Sequence, residues 1–322
     1  LAIIEALTDL KKFPKNKAAL TGLSNFKVSS EERDSIIRLE VGSIKTLLEE
    51  GKFLEAKRRS ESFLTRYPKE SSVLSMSGVA DIRLKDFSSA IEKFEGLIEV
   101  DKNSYSAFNN LGVAQREVGR HQSAINNFRR AVKILPKYHE AYFNLGNAYR
   151  AVGNLRGAED SFNSVIRLKS DFTPAYLNLG QIKSEQGDYK KAIHHYKSAI
   201  KINPSDASLI NNLGSVYTKL DDFDEAIKLF KEALRLDSKY SEAYYNLGYL
   251  HYKLRKWDES ISYYKSALTV KFPNPEASNN LGVVYNEISE FSKAEKYFSE
   301  ALEYRENYID AIEEDVRWLG FE

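Results

Sequence analysis

The tripeptide Asn-Leu-Gly occurs six times in this chain of 322 residues, always at the same interval. The copies begin at Asn110, Asn144, Asn178, Asn212, Asn246 and Asn280. Twelve residues after each glycine comes a small residue and sixteen residues after it an aromatic one, as in Gly214, Ala226 and Phe230. A fixed period of about 20 to 50 residues is typical of repeat architectures, in which each unit packs on its neighbours. The chain is therefore predicted to be a stack of similar units.

The same register divides most of the chain into eight units of equal length. These units are 37–70, 71–104, 105–138, 139–172, 173–206, 207–240, 241–274 and 275–308. The unit 37–70 lacks the Leu-Gly pair and is the weakest copy. Residues 1–36 and 309–322 fit no repeat. We expect an N-terminal helical segment over 1–36, acting as a cap, a linker or a docking segment, and a C-terminal capping helix over 309–322 that covers the last apolar face.

Within a unit, the spacing of the apolar residues is helical. In the unit 207–240, Leu213 and Tyr217 lie on one stripe with a period of about 3.6 residues, and Ala226 and Phe230 lie on a second stripe after a polar break. Four other units carry a glycine in this break, as expected for the left-handed residue that follows a helix C-terminus. These glycines are Gly51, Gly119, Gly153 and Gly187. Each unit is therefore predicted to be a pair of helices joined by a short turn.

This pattern resembles the tetratricopeptide repeat (TPR), a 34-residue helix–turn–helix unit with a signature of small and aromatic residues. The unit 207–240 carries the signature at Leu213, Gly214, Tyr217, Ala226, Phe230 and Ala233. The departures are single positions, such as Lys183 and His251 in place of the first-helix tyrosine. The resemblance implies an all-α fold: a right-handed α-α superhelix, or solenoid, of about eight units, with the first helices lining a concave groove.

The composition excludes several classes of function. The chain has 47 basic and 46 acidic side chains, so its net charge of +1 gives no reason to expect a nucleic acid or an anionic membrane as partner. No segment reaches the roughly 18 consecutive apolar residues of a membrane span, so membrane insertion is not expected. The chain has no cysteine, which excludes thiolate catalysis and disulfides.

The sequence carries no recognisable catalytic or metal-binding motif. Adjacent helical residues point about 100° apart, so His194 and His195 are unable to hold one metal ion by themselves. The repeat glycines lie a full repeat apart and form no phosphate-binding loop. We therefore predict no catalytic residue, no metal site and no cofactor.

The six asparagines of the Asn-Leu-Gly copies, here called the asparagine ladder, are the main functional candidate. Asparagine inside a helix is roughly 0.5 kcal/mol less favourable than alanine, so six copies cost about 3 kcal/mol. An amide offers two donors and one acceptor, which matches the N–H and C=O groups of a peptide backbone. The ladder is also similar to that of O-linked N-acetylglucosamine transferases, and this resemblance implies that it grips extended peptides. The alternative is that asparagine at this position only bonds neighbouring helices.

Other polar and aromatic side chains are expected to flank the ladder on the same face. Residues one before and three after each asparagine lie beside it on a helix, and basic residues one to two turns further on are candidates for binding acidic groups. The predicted peptide-binding residues besides the ladder are Asn147, Gln181, Tyr245, Tyr249, Arg150 and Lys219, and Ser215, Arg116 and Lys253 occupy equivalent places.

The sequence supports one leading function and two alternatives. The first is a non-catalytic protein–protein interaction scaffold that binds an extended peptide or partner segment in the concave groove. The second is the substrate-recognition region of a larger glycosyltransferase or sulfotransferase, because the chain begins at Leu1 and is expected to be a piece of a longer protein. The third is self-association through the terminal helices. The cytoplasm is the default compartment.

Overall fold

The computed structural model describes the backbone of residues 30–318 and the side chains of residues 33–304. All regular structure in this part of the chain is α-helical, in sixteen helices. Their bounds are α1 Ser30–Glu49, α2 Phe53–Leu64, α3 Ser71–Arg83, α4 Phe87–Val100, α5 Tyr105–Glu117, α6 His121–Ile134, α7 His139–Ala151, α8 Leu155–Leu168, α9 Thr173–Glu185, α10 Tyr189–Ile202, α11 Ala207–Lys219, α12 Phe223–Leu236, α13 Ser241–Lys253, α14 Trp257–Val270, α15 Pro275–Glu287 and α16 Phe291–Trp318. The predicted all-α class is confirmed.

The helices form pairs, one pair for each predicted unit. The two helices of a pair are joined by three residues, and the next pair usually follows after four. The chain divides into two compact units after Pro136. The N-terminal unit contains α1–α6 and the C-terminal unit contains α7–α16. Each unit is an α-α solenoid of stacked helix pairs, three in the first and five in the second.

The turn inside each pair places its middle residue in the left-handed region. The four predicted glycines adopt this conformation, with φ between 73° at Gly153 and 77° at Gly187. In the other four turns the residues are not glycine but still have φ between 57° and 63°. They are Lys85, Asp221, Arg255 and Ser289. The next residue often caps the second helix, as where Oδ1 of Asp222 accepts from the backbone N–H of Glu225 at 3.3 Å.

The glycine of each repeat lies where the two helices of a pair approach most closely. A Cβ atom added to Gly214 would lie 2.8 Å from Cε1 of Phe230, and one added to Gly112 would lie 2.7 Å from Cε1 of Phe128. Atoms at such distances overlap, so a larger residue would force the ring to move. Ala226, on the facing helix, is fully buried. The signature of the repeat is thus a packing requirement that recurs along the chain.

The chain termini extend beyond the repeat register. Helix α1 begins at Ser30, inside the segment 1–36 that was predicted as a separate N-terminal region, and continues through the start of the first unit. The rest of that prediction, residues 1–29, lies outside the described residues. At the other end, α16 continues past 308 into the predicted capping segment 309–322 as one uninterrupted helix to Trp318. Residues 319–322 lie outside the described residues.

Candidate functional site

The ladder asparagines occupy the same place on successive first helices. Asn110 belongs to the N-terminal unit, and the other five belong to the C-terminal unit. All six are half-buried, whereas the leucine that follows each one, such as Leu213 with 4% exposure, belongs to the core. The ladder therefore lies at the boundary between the core and the surface.

Neighbouring first helices in the C-terminal unit are joined by hydrogen bonds between residues 35 positions apart. Nδ2 of Asn246 donates to Oδ1 of Asn211 at 2.9 Å, and Nδ2 of Asn280 donates to the Tyr245 hydroxyl at 2.9 Å. Part of each amide is therefore used to bond the preceding repeat, as the alternative interpretation of the sequence expected. Among the described residues, the second N–H and the carbonyl oxygen of Asn246 make no hydrogen bond and remain available to a ligand. Asn280 has less hydrogen-bonding capacity left, because its Oδ1 also accepts from Nδ2 of Asn279 at 3.3 Å.

Arg150 brings three predicted site residues together by binding two of them itself. Its Nη1 donates to Oδ1 of Asn178 at 3.1 Å and to Oε1 of Gln181 at 2.6 Å. Its Nη2 lies 2.8 Å from Oε1 of Glu185. Asn178 also donates to the carbonyl oxygen of Pro174 at 2.8 Å. This cluster saturates much of the hydrogen-bonding capacity of Asn178 and neutralises Arg150, which the sequence had suggested for acidic ligand groups.

The remaining ladder residues differ in their partners. In the N-terminal unit, Oδ1 of Asn110 accepts from Nδ2 of Asn109 at 3.2 Å. On α7, Asn144 and Asn147 are both half-buried, and Asn144 has an interaction partner. Asn212 on α11 is also half-buried, but its amide makes no hydrogen bond within residues 33–304. In the C-terminal unit, the amides of Asn212 and Asn246 have more remaining hydrogen-bonding capacity than those of Asn178 and Asn280.

A pocket of about 480 Å³ opens on the C-terminal unit, with Asn246 in its lining. It contains four of the predicted site residues: Asn246, Tyr245, Tyr249 and Lys219. The other lining residues are Ser215, Thr218, Asp221, Phe223 and Lys253. Thr218, Asp221 and Phe223 were not predicted, because they reach the pocket from the end of α11, from the turn that follows it and from the start of α12. The volume is within the usual range for ligand sites, about 300 to 1,000 Å³.

Several hydrogen-bond donors in this pocket remain available to a ligand. Burial raises the pKa of Tyr245, so its hydroxyl stays protonated at neutral pH. The hydroxyl oxygen already accepts from Asn280, which leaves its hydrogen available to donate. Nζ of Lys219 donates to Oγ of Ser184 at 3.0 Å and keeps further N–H groups. Such a surface suits a ligand rich in acceptors, such as carbonyl or carboxylate oxygens.

The described part of the chain contains no group of three or more His, Asp and Glu residues placed to hold a metal ion. Between Ser30 and Trp318, none of the helices combines the length and the apolar character that crossing a membrane requires.

The two adjacent histidines of the sequence, His194 and His195, lie on α10. Their rings contact each other edge to face, with centroids 5.5 Å apart.

Comparisons with protein families identify the same repeats. A family model described as TPR repeat matches residues 114–153, 181–221 and 214–254. Two models described as tetratricopeptide repeat match residues 240–307 and 139–172. A comparison with curated protein sequences gives no match.

Solved structures with the same fold include the C-terminal part of a TPR repeat-containing protein from Cytophaga hutchinsonii, with a TM-score of 0.62 and 16% identity over 75% of this chain and 99% of that one. A tetratricopeptide repeat protein from Parabacteroides merdae gives a TM-score of 0.59 and 15% identity over 77% and 98%. The APC/C hetero-tetramer Cut9-Hcn1 gives a TM-score of 0.58 and 19% identity over 88% of this chain and 52% of that one. At these identities the likeness concerns the fold alone. The chain belongs to the tetratricopeptide-repeat superfamily, whose stacked helical hairpins serve as scaffolds for protein–protein interactions.

Proposed function

We propose that this chain is a non-catalytic scaffold that holds an extended segment of a partner protein on the first helices of its C-terminal unit. The observation that carries the proposal is the unused capacity of two successive ladder amides. Asn212 has no hydrogen bond among the described residues, and Asn246 uses one N–H of three available groups. Both lie half-buried, and Asn246 lines the pocket.

The chemistry of an amide suits a ligand recognised through its main chain. An extended peptide presents one N–H and one C=O per residue, and an asparagine carboxamide pairs with both. Each net hydrogen bond contributes about 1 kcal/mol, whereas association costs several kcal/mol in lost freedom of movement. Two amides are therefore insufficient for stable binding. The aromatic rings of Tyr245 and Tyr249 in the same pocket supply apolar contact area, and tyrosine is a frequent anchor at interfaces.

The test uses a peptide selected on the purified chain from a random library, with its affinity measured by calorimetry. The double variant Asn212→Ala with Asn246→Ala removes the two available amides and should weaken binding at least about tenfold, from the loss of two hydrogen bonds. The matched control is Asn203→Ala with Asn286→Ala, because both of these asparagines are exposed and neither lines the pocket. Unchanged affinity in the ladder variant, or equal losses in the two variants, would refute the role of the ladder.

A further inference from the structure

Two lysines of the pocket, Lys219 and Lys253, form no ion pair with a carboxylate of the described residues. Glu185, Lys219 and Lys253 occupy the same position in three successive first helices. The residue 35 positions before Glu185 is Arg150, and these two form an ion pair at 2.8 Å. The corresponding neighbour of Lys219 is the uncharged Ser184.

Lys253 is placed in the same way. The residue 35 positions before it is Thr218, which is uncharged, and the Lys253 ammonium instead lies over the ring of Tyr249, 5.7 Å from its centroid. Within residues 33–304, neither Lys219 nor Lys253 pairs with an acidic side chain. Arg150 on α7 is thus neutralised by Glu185 on α9, whereas Lys219 on α11 and Lys253 on α13 have no such partner and leave an excess of positive charge.

The other polar groups around the pocket include both acceptors and donors. The hydroxyl hydrogens of Ser215 and Thr218 are both directed to backbone oxygens of α11, at 3.1 Å and 3.0 Å, so these two hydroxyls present only acceptor oxygens to the pocket. Asn246 has a second N–H to offer. The lining includes one carboxylate, that of Asp221, so two ammonium groups and one carboxylate give a net charge of +1.

We infer that this pocket binds an Asp or Glu side chain of the partner peptide, with the carboxylate placed between Lys219 and Lys253. This inference rests on the proposed function, because Asn212 and Asn246 hold the main chain of the same peptide. The carboxylate receives charge-assisted hydrogen bonds from the two ammonium groups. The rings of Tyr245 and Tyr249 pack against the peptide side chains beside it. The partner is thus a protein with an exposed, extended acidic segment.

A selection experiment tests this specificity. A random 12-residue library, displayed as N-terminal fusions so that no free carboxyl terminus is present, is selected at low salt on the wild-type chain and on Lys219→Gln with Lys253→Gln. The control is Lys231→Gln with Lys239→Gln, since both residues are exposed in the same unit and outside the pocket, and the change in net charge is identical. Asp and Glu should be enriched several-fold on the wild type and on the control, and this enrichment should disappear on the pocket variant. Equal enrichment on all three proteins would overturn the inference.

A synthetic peptide then locates the carboxylate. The most enriched sequence is labelled with fluorescein and compared with its acid-to-amide counterpart by fluorescence anisotropy at 50 mM and 300 mM NaCl. We expect either change, in the peptide or in the two lysines, to weaken binding about tenfold and to reduce the salt dependence. The two changes together should cost no more than one alone, because they remove the same contact. Losses that multiply would show that the lysines and the carboxylate act at different places, and would overturn the inference.

The outcomes separate this inference from the proposal on which it rests. Peptides that lack acidic residues but lose affinity with the Asn212→Ala and Asn246→Ala double variant would refute the acidic specificity and support the ladder. A library that yields no enriched peptide on the wild-type chain would contradict both.

Discussion

Lys183 of α9 forms an ion pair with Glu159 of α8, with 2.6 Å between Nζ and Oε2. The N-terminal unit contains the same pair with its charges exchanged, where Nζ of Lys57 lies 2.7 Å from Oδ1 of Asp81. In both pairs the two residues are 24 positions apart and occupy the same two places in the repeat. The first-helix member is buried in each case: Asp81 is fully buried and Lys183 has 7% exposure.

Two repeats of the C-terminal unit place a tyrosine and an isoleucine at these two positions. Tyr217 and Ile193 belong to one hydrophobic cluster, and Tyr285 and Ile261 belong to another. An acidic or basic residue on a first helix is thus matched by the opposite charge on the preceding second helix, and a ring is matched by isoleucine. We infer that these matched positions determine which helix packs well on which neighbour.

Reversing one charge of the buried pair should destabilise the C-terminal unit. Lys183→Glu places a second carboxylate beside Glu159, and we expect the free energy of unfolding to fall by about 3 kcal/mol, as for other broken buried pairs. The exchange Lys183→Glu with Glu159→Lys reproduces the arrangement of Asp81 and Lys57, and should recover most of this loss. Urea denaturation followed by circular dichroism measures both.

A variant with apolar side chains at positions 183 and 159 provides the control. Lys183→Tyr with Glu159→Ile copies Tyr217 and Ile193, and should be at least as stable as the wild type, because well-packed apolar groups often replace a buried ion pair without loss. An exchanged pair no more stable than Lys183→Glu alone would show that the two positions are not matched in this way.

A glycine should improve the turn at Arg255. This residue has φ of 57°, a left-handed conformation that costs an L-residue about 1 kcal/mol, and its side chain is exposed. Arg255→Gly should therefore increase the free energy of unfolding by up to about 1 kcal/mol, and Gly187→Arg at the equivalent turn should decrease it by a similar amount. Thermal denaturation of the two variants should shift in opposite directions, and a shift in the same direction would contradict the strain argument.

The sequence predicts this fold well because the repeat itself encodes the close contacts. Gly214 and Phe230 are sixteen residues apart in a pattern that recurs in successive repeats, so their packing follows from spacing alone. The turn at Arg255 is less predictable. Its conformation follows from the backbone geometry between two closely packed helices, and Arg255 carries no sequence signal for a left-handed residue.

The site is only partly predictable for a related reason. Helical spacing places Asn178, Gln181 and Arg150 on corresponding faces, but it does not show that Arg150 binds the other two. Arg150 lies 28 positions before Asn178, 31 before Gln181 and 35 before Glu185. None of these separations equals the period of the sequence, because the contacts depend on the offset between stacked helices.

Acidification should destabilise the C-terminal unit through His195. Burial lowers its pKa from 6.5, with smaller contributions from His194 and Lys183, while Glu159 and Asp188 oppose the shift. A histidine whose pKa is lower in the folded state than in the unfolded chain stabilises the fold fully only at a pH above the unfolded-state pKa. As the pH falls below about 6.5, the unfolded chain takes up the proton first, and this stabilisation is lost.

The variant His195→Leu isolates this effect, because the equivalent residue of the next repeat is Leu229. Between pH 7.5 and 5.5 the wild type should lose more stability in urea denaturation than the variant does. If the free energies of unfolding of the wild type and the variant fell equally over this pH range, His195 would not contribute to the pH dependence.

The last prediction concerns how damage spreads along the C-terminal unit. Leu247 of α13 is fully buried in a cluster with Phe230 and Leu250, so Leu247→Ala should cost about 2 to 5 kcal/mol locally. Stacked repeats bury their surface mainly against nearest neighbours, so the loss should fall first on the helices that contribute to this cluster. Native-state hydrogen exchange should accelerate in α11–α14 while α7 and α8 keep their protection. The amides of α7 and α8 are the internal control, and if they exchanged faster to the same extent, the unit would unfold as one cooperative block and not repeat by repeat.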